Sequence, residues 1–153
     1  MKWITRENVK VDRVACPWLI RKFIDSEAEF FFVEEAAVNA QARALQATPF
    51  DVPKNPDVKL NHRNGRCSFE TILESYQLTS DPALVALGRI VHGADVPKEM
   101  DIAPESAGLY ALANGFSLTC AGDEERLRLQ FPLYDALYAF CQSRIKNSPS
   151  SQG

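Results

Sequence analysis

Between residues 62 and 70 the chain reads HRNGRCSFE. Asn64–Gly65 is the pair that favours a two-residue hairpin turn with a strand on either side. The residues after it decide otherwise. Phe69, Ile72, Leu73 and Tyr76 fall at i, i+3, i+4 and i+7, the apolar period of one helix face, with Ser68 placed as N-cap. Before the turn, DVKLNH (57–62) alternates Val58, Leu60 and His62 on one side, which predicts a half-buried strand ending at the histidine. The passage therefore reads as strand, loop, helix.

The same reasoning runs outward. Lys2–Arg6 reads as a short strand, and DRVACPWLIRKFID (12–25) carries apolar residues at helical spacing. Pro17 cannot donate to a helix interior, so the regular helix is expected to begin near it, with Asp12–Cys16 as a structured turn leading in. AEFFFVEE (28–35) suits a central strand buried on both faces. AAVNAQARALQA (36–47) is helical by propensity, and TPFDVPKNP (48–56), with three prolines, is a loop. Beyond the opening stretch, a helix capped by Ser80 or Asp81 is expected to end near Gly93. Residues 103–116 form another, closed by Asn114–Gly115. Residues 123–146 read as two helical pieces meeting at Pro132, the second burying Leu133, Leu137, Phe140 and Cys141. The fold class is α/β in the mixed sense: a small sheet of about three strands covered by helices, with a helical C-terminal half. One domain spans 1–146, and 147–153 is expected to be a disordered tail.

Composition narrows the setting. A 153-residue chain with 46% hydrophobic and 24% charged residues can bury a core without staples. Its apolar runs are too short to span a membrane. The start, MKWITRENVKVDR, is charged and has no apolar signal core, so a cytoplasmic location is expected. Cys16, Cys67, Cys120 and Cys141 are scattered, with no C-x-x-C pair, which argues against disulfides and an all-cysteine zinc site. Net charge of −3 disfavours direct nucleic-acid binding. Residues 1–25, however, hold six basic side chains against three acidic ones. That is solvated surface, or else an anion-binding corner with Arg6 and Arg13 as forked donors.

The chain has two histidines, and both sit near carboxylates. His62 precedes Glu70 across the turn, and His92 precedes Asp95 by three positions at a helix end. Two imidazoles with one or two carboxylates suit Fe(II), Mn(II) or Zn(II), with open positions for a ligand. Cys67 could replace one carboxylate and would bias such a site toward zinc. Structural roles compete: Glu70 in a first turn and His92 in a last turn both favour the helix dipole. Cys16 is either a reactive thiol beside basic residues or a core residue, and core is the simpler reading.

Taken together, WITR (3–6), DRVACPWLIRKFID (12–25), AEFFFV (28–33), CSFETIL (67–73) and IVHGAD (90–95) resemble the chromate-resistance family. This is the domain that forms the C-terminal part of ChrB-type regulators, with relatives labelled chromate resistance exported protein. The resemblance runs from Trp3 to YDALYAF (134–140). A family pattern of histidine, then C-[ST]-F-E, then V-H-x-x-D falls on His62, Cys67, Phe69, Glu70, His92 and Asp95. Arg6, Asp12, Arg13 and Trp18 match its N-terminal part. That strengthens the reading, made from the residues themselves, of one divalent transition metal on His62, Glu70, His92 and Asp95, with Cys67, Asp12 and Trp18 as possible additional site residues. Arg6 and Arg13 would hold chromate or another small oxyanion. Turnover at the metal is one reading. Others are a non-catalytic oxyanion-sensing or interaction module working through a DNA-binding partner, and a redox protein using Cys16 or Cys67.

Overall fold

The computed structural model describes residues 1–147; the tail expected at 147–153 lies, from residue 148 on, outside the described residues. The element order is β1 (Lys2–Arg6), α1 (Asp12–Leu19), β2 (Glu29–Val33), α2 (Val38–Leu45), β3 (Thr48–Pro49), α3 (Ser68–Ser75), α4 (Pro82–Asp95), α5 (Ser106–Thr119) and α6 (Asp123–Lys146). A π-helical turn, Ile20–Ile24, continues α1, and 3-10 turns at Glu35–Ala37 and Pro97–Ile102 precede α2 and follow α4. The mixed α/β class and the helical C-terminal half are as the sequence implies.

The sheet is parallel with strand order β2-β1-β3. Successive β1 residues face opposite sides, as the pleat requires. Trp3 enters the large core under α1, α3, α4 and α6, whereas Ile4 enters a smaller cluster under α2 with Val38, Val52 and Val58. α1 and α2 thus cover opposite faces, as right-handed crossovers running in opposite directions require. Chain order reverses at β1, and the carboxyl ends of β1 and β3 lie side by side at the reversal. In open α/β sheets this crevice collects ligands. Among the described residues no helix is long and apolar enough to cross a membrane.

Several expected boundaries move. The AEFFFVEE strand is an edge, and the central strand is β1, whose Trp3, Ile4 and Thr5 are fully buried. The third strand comes from the proline-rich stretch read as a loop; Pro49 is tolerated because β3 is an edge strand that needs no outward donor. Residues 57–62 make no strand. Val58 and Leu60 enter different cores, Leu60 forms only an isolated bridge with Phe50, and Asn61 turns inward to donate to the Val52 carbonyl at 2.6 Å. The Asn64–Gly65 hairpin does form, as a bare turn. Both residues have positive φ, and Arg63 and Arg66 exchange backbone hydrogen bonds without strands beyond them.

Helix ends differ for one recurring reason: packing overrides a single breaker. α1 begins at Asp12 because burial of Asp12, Val14, Ala15 and Cys16 fixes its first turn, and Pro17 forfeits only one donor. The following Asp25 amide bonds to Ile20, five residues back. Gly93 does not end α4, which runs to Asp95. It is small because Ser106 of α5 lies there, and a Cβ would meet the Ser106 Oγ at 2.3 Å. α5 passes through Asn114–Gly115 to Thr119, and α6 passes unbroken through Pro132. The buried stripe of α6 is Leu127, Gln130, Tyr134 and Cys141, while Phe140 is exposed.

Candidate metal centre

Two carboxylates arrive at the sheet's carboxyl edge by different routes. Asp12 follows β1 at the first turn of α1, and its carboxylate turns away from its own helix. Its two oxygens accept the Ser68 amide (2.9 Å) and the Phe69 amide (3.3 Å), so it caps the start of α3 from outside. Ser68 is therefore the first helical residue rather than the N-cap; Cys67 holds that position, and the Glu70 side chain accepts the Cys67 amide. Asp51 follows β3 in the left-handed region at φ 49, which a short polar side chain tolerates. Its Oδ1 accepts the Ser68 hydroxyl at 2.6 Å.

His62 projects between them. Its Nε2 lies 3.0 Å from Asp95, 3.3 Å from Asp12 and 3.5 Å from Asp51, all carboxylate oxygens. Hydrogen bonds to Asp12, Asp51 and Asp95 push the imidazole pKa up to about 12. Burial and the Asp95 charge push Asp12 up to about 8, against the His62 contact that lowers it. Asp51 goes the other way. Burial opposes its charge, but hydrogen bonds from His62 and Ser68 and the Arg13 guanidinium outweigh that and hold it low.

A second group lies one helical turn back along α4. His92 Nδ1 meets Glu70 Oε1 at 2.5 Å, and His92 Nε2 contacts Glu99 of the 3-10 turn. Burial disfavours the His92 charge, yet Glu99 and Glu70 together raise its pKa. Cys67 is fully buried beside them, and burial pushes its thiol well up. Within each of two sets, Asp12–His62–Asp95 and Cys67–Glu70–His92, ligand atoms lie within 4.8 Å of one another. Both histidines line one cleft of about 340 Å³, walled by the 63–66 turn, Val96 and Glu99.

The structure thus brings His62 to Asp95 and Glu70 to His92, in two neighbouring groups whose histidines line one cleft. Asp12 joins the first and Cys67 the second. Arg6 and Arg13 also converge, but on a protein carboxylate: their guanidinium nitrogens lie 4.0 and 3.7 Å from Asp51 Oδ2. Trp18 is buried away from the cleft, in edge-on and tilted contact with Phe23, Tyr134 and Tyr138 and donating to Asp135. Cys16 is core. Sequence reasoning missed Asp51 and Glu99. An aspartate placed between prolines just after a strand is a faint signal for Asp51. Glu99, exposed in a charged turn, has none.

Comparison with known proteins adds three findings. A family model described as "ChrB, C-terminal domain" matches residues 3–141. "Protein ChrB" of Cupriavidus metallidurans is 36% identical over 126 residues, covering 82% of this chain and 34% of that protein. The chain spans about a third of the length of the curated relative it matches. No solved structure matches.

Proposed function

Because this chain belongs to the ChrB C-terminal domain family of chromate-resistance proteins, we propose that its histidine–carboxylate cluster holds a divalent transition metal and serves the response to, or detoxification of, chromate or another oxyanion. One observation carries the reading: three carboxylates approach a single imidazole nitrogen within 3.5 Å, and one of them, Asp12, is fully buried. Such crowding of like charge out of water needs a countercharge at its centre. Arg13, pressed against Asp51, supplies one, and without an ion the protonated His62 supplies another. A divalent cation held by Asp12, His62 and Asp95 would take the place of that proton, since a ligating imidazole is neutral, and two hard oxygens with one imidazole suit iron, manganese or zinc. Such an ion would lend Lewis-acid or redox chemistry to an oxyanion at its open positions. Arg6, at the rim and partly exposed, would steer the anion, with Arg13 fixing Asp51 behind it. Four free, buried cysteines support a cytoplasmic setting.

Elemental analysis of the purified protein tests the reading, with one or more equivalents of iron, manganese or zinc expected. His62→Ala should lose the equivalent at this cluster. Metal-free protein, or an undiminished content in His62→Ala, overturns it.

A further inference from the structure

The second group on the cleft has no part in that reading, and its donors differ in kind. It contains a thiol, a carboxylate and an imidazole. Each is fixed by the fold rather than by chance approach. Cys67 sits at the N-cap of α3, fully buried among core residues. Glu70 is held one turn later by the Cys67 amide, which it accepts at 3.1 Å. The Glu70 stem packs against α4 at Gly88, where a Cβ would stand in ordinary contact, 3.4 Å from Glu70 Cγ. His92 follows on the same face of α4 and offers Nδ1 toward Glu70. Its far nitrogen, Nε2, rests on Glu99. A ligating histidine whose other nitrogen is held by a carboxylate is the usual way its ring is oriented and its basicity raised.

We propose that Cys67, Glu70 and His92, oriented by Glu99, form a second metal site that takes a borderline-soft divalent ion such as zinc or cobalt. The thiolate, carboxylate and imidazole would fill three positions of a tetrahedral set, and a fourth ligand would come from the cleft that His92 and His62 line. The Cys67 thiol gives up its proton on binding, because a coordinated thiol is deprotonated outright. His92 and Asp95 stand three apart on α4, about 5–6 Å between Cβ atoms on a helix surface, so the two ions would share one cleft.

Titration of the metal-free full chain with Co(II) tests it, because a thiolate on Co(II) gives a near-ultraviolet charge-transfer band that oxygen and nitrogen donors do not. Two equivalents are expected, one of them with that band. Cys67→Ser should abolish the band and leave one equivalent, and His62→Ala should keep the band and leave one. Glu99→Gln, at an exposed position, should weaken the banded equivalent about ten- to a hundredfold and spare the other. One equivalent without a band overturns the inference; if His62→Ala also removes it, the first site stands alone. A band that survives Cys67→Ser places the thiolate elsewhere and overturns it too. A band with no response of the other equivalent to His62→Ala leaves this site standing and removes the first.

Discussion

At the scale of single residues, Asp51 is the buried carboxylate on which the surroundings of His62 converge. It accepts the Ser68 hydroxyl, approaches His62, and faces both Arg6 and Arg13. Arg13 is mostly buried, and its Nε has no hydrogen-bond partner among the described residues, so the Asp51 charge is what makes its burial tolerable. Asp51→Ala should cost about 3–5 kcal/mol in urea denaturation, the penalty for stripping the partner from a buried charge. Asp51→Asn keeps the left-handed backbone and an acceptor for Ser68 but not the charge, so it should lose nearly as much. A clearly smaller loss would mean that the backbone and the Ser68 contact, not the charge, are what matter. This residue also shows where sequence reading stops. His62, Glu70, His92 and Asp95 were legible because scarce histidines near carboxylates carry a chemical signature on their own. Asp51 reaches His62 from the far side of the sheet edge, through a strand pairing that no local pattern announces. Glu99 reaches His92 because a turn folds back on α4, and spacing alone gives no sign of it.

At the scale of elements, helical periodicity was a better guide than helix breakers, while the alternation over Val58, Leu60 and His62 produced no strand. The apolar repeat over Phe69, Ile72 and Leu73 produced α3 where expected, and Asp81 caps α4 through the Ala83 and Leu84 amides. Gly93, Pro17, Pro132 and Asn114–Gly115 all lie inside helices, because each weakens a helix by less than the packing of its apolar face returns. The glycines nevertheless differ in kind. Gly93 is a contact glycine: Gly93→Ala drives a Cβ into Ser106 and Ile102, breaks the Ser106 bond to the Ile90 carbonyl, and should cost about 1–3 kcal/mol. A Cβ at Gly115 would meet nothing within 4 Å, so Gly115→Ala should stabilise by about 0.5–1 kcal/mol. Chemical denaturation of the two variants, side by side, checks the contrast. Two shifts of the same sign would refute it.

At the scale of the molecule, the small sheet only seats the site, and the helices hold the sheet. The class and the helical second half were readable from element order, whereas strand order was not, since a two-residue strand ending in proline carries no alternation to read. One bond across the helical layer has a readable pH signature. Tyr138 of α6 donates to Asp81 at the start of α4 at 2.6 Å, and burial together with the Asp81 charge raises its pKa to about 12 from 10.0. A pKa raised on folding adds stability that is whole below pH 10 and lost as pH climbs through about 12. Tyr138→Phe should therefore lose urea resistance less steeply than the parent over that interval; parallel curves would count against the contact. A last tie joins the extremes of the chain. The carboxylate of Asp123, at the start of α6, accepts the amides of Asn8 and Val9 in the loop that delivers Asp12, across 115 and 114 residues. On a ribosome adding about 5–20 residues per second, that loop waits about 6 to 23 s for its partner to be made. The loop that delivers Asp12 is thus fastened last, after every other residue of the two histidine groups has already been made.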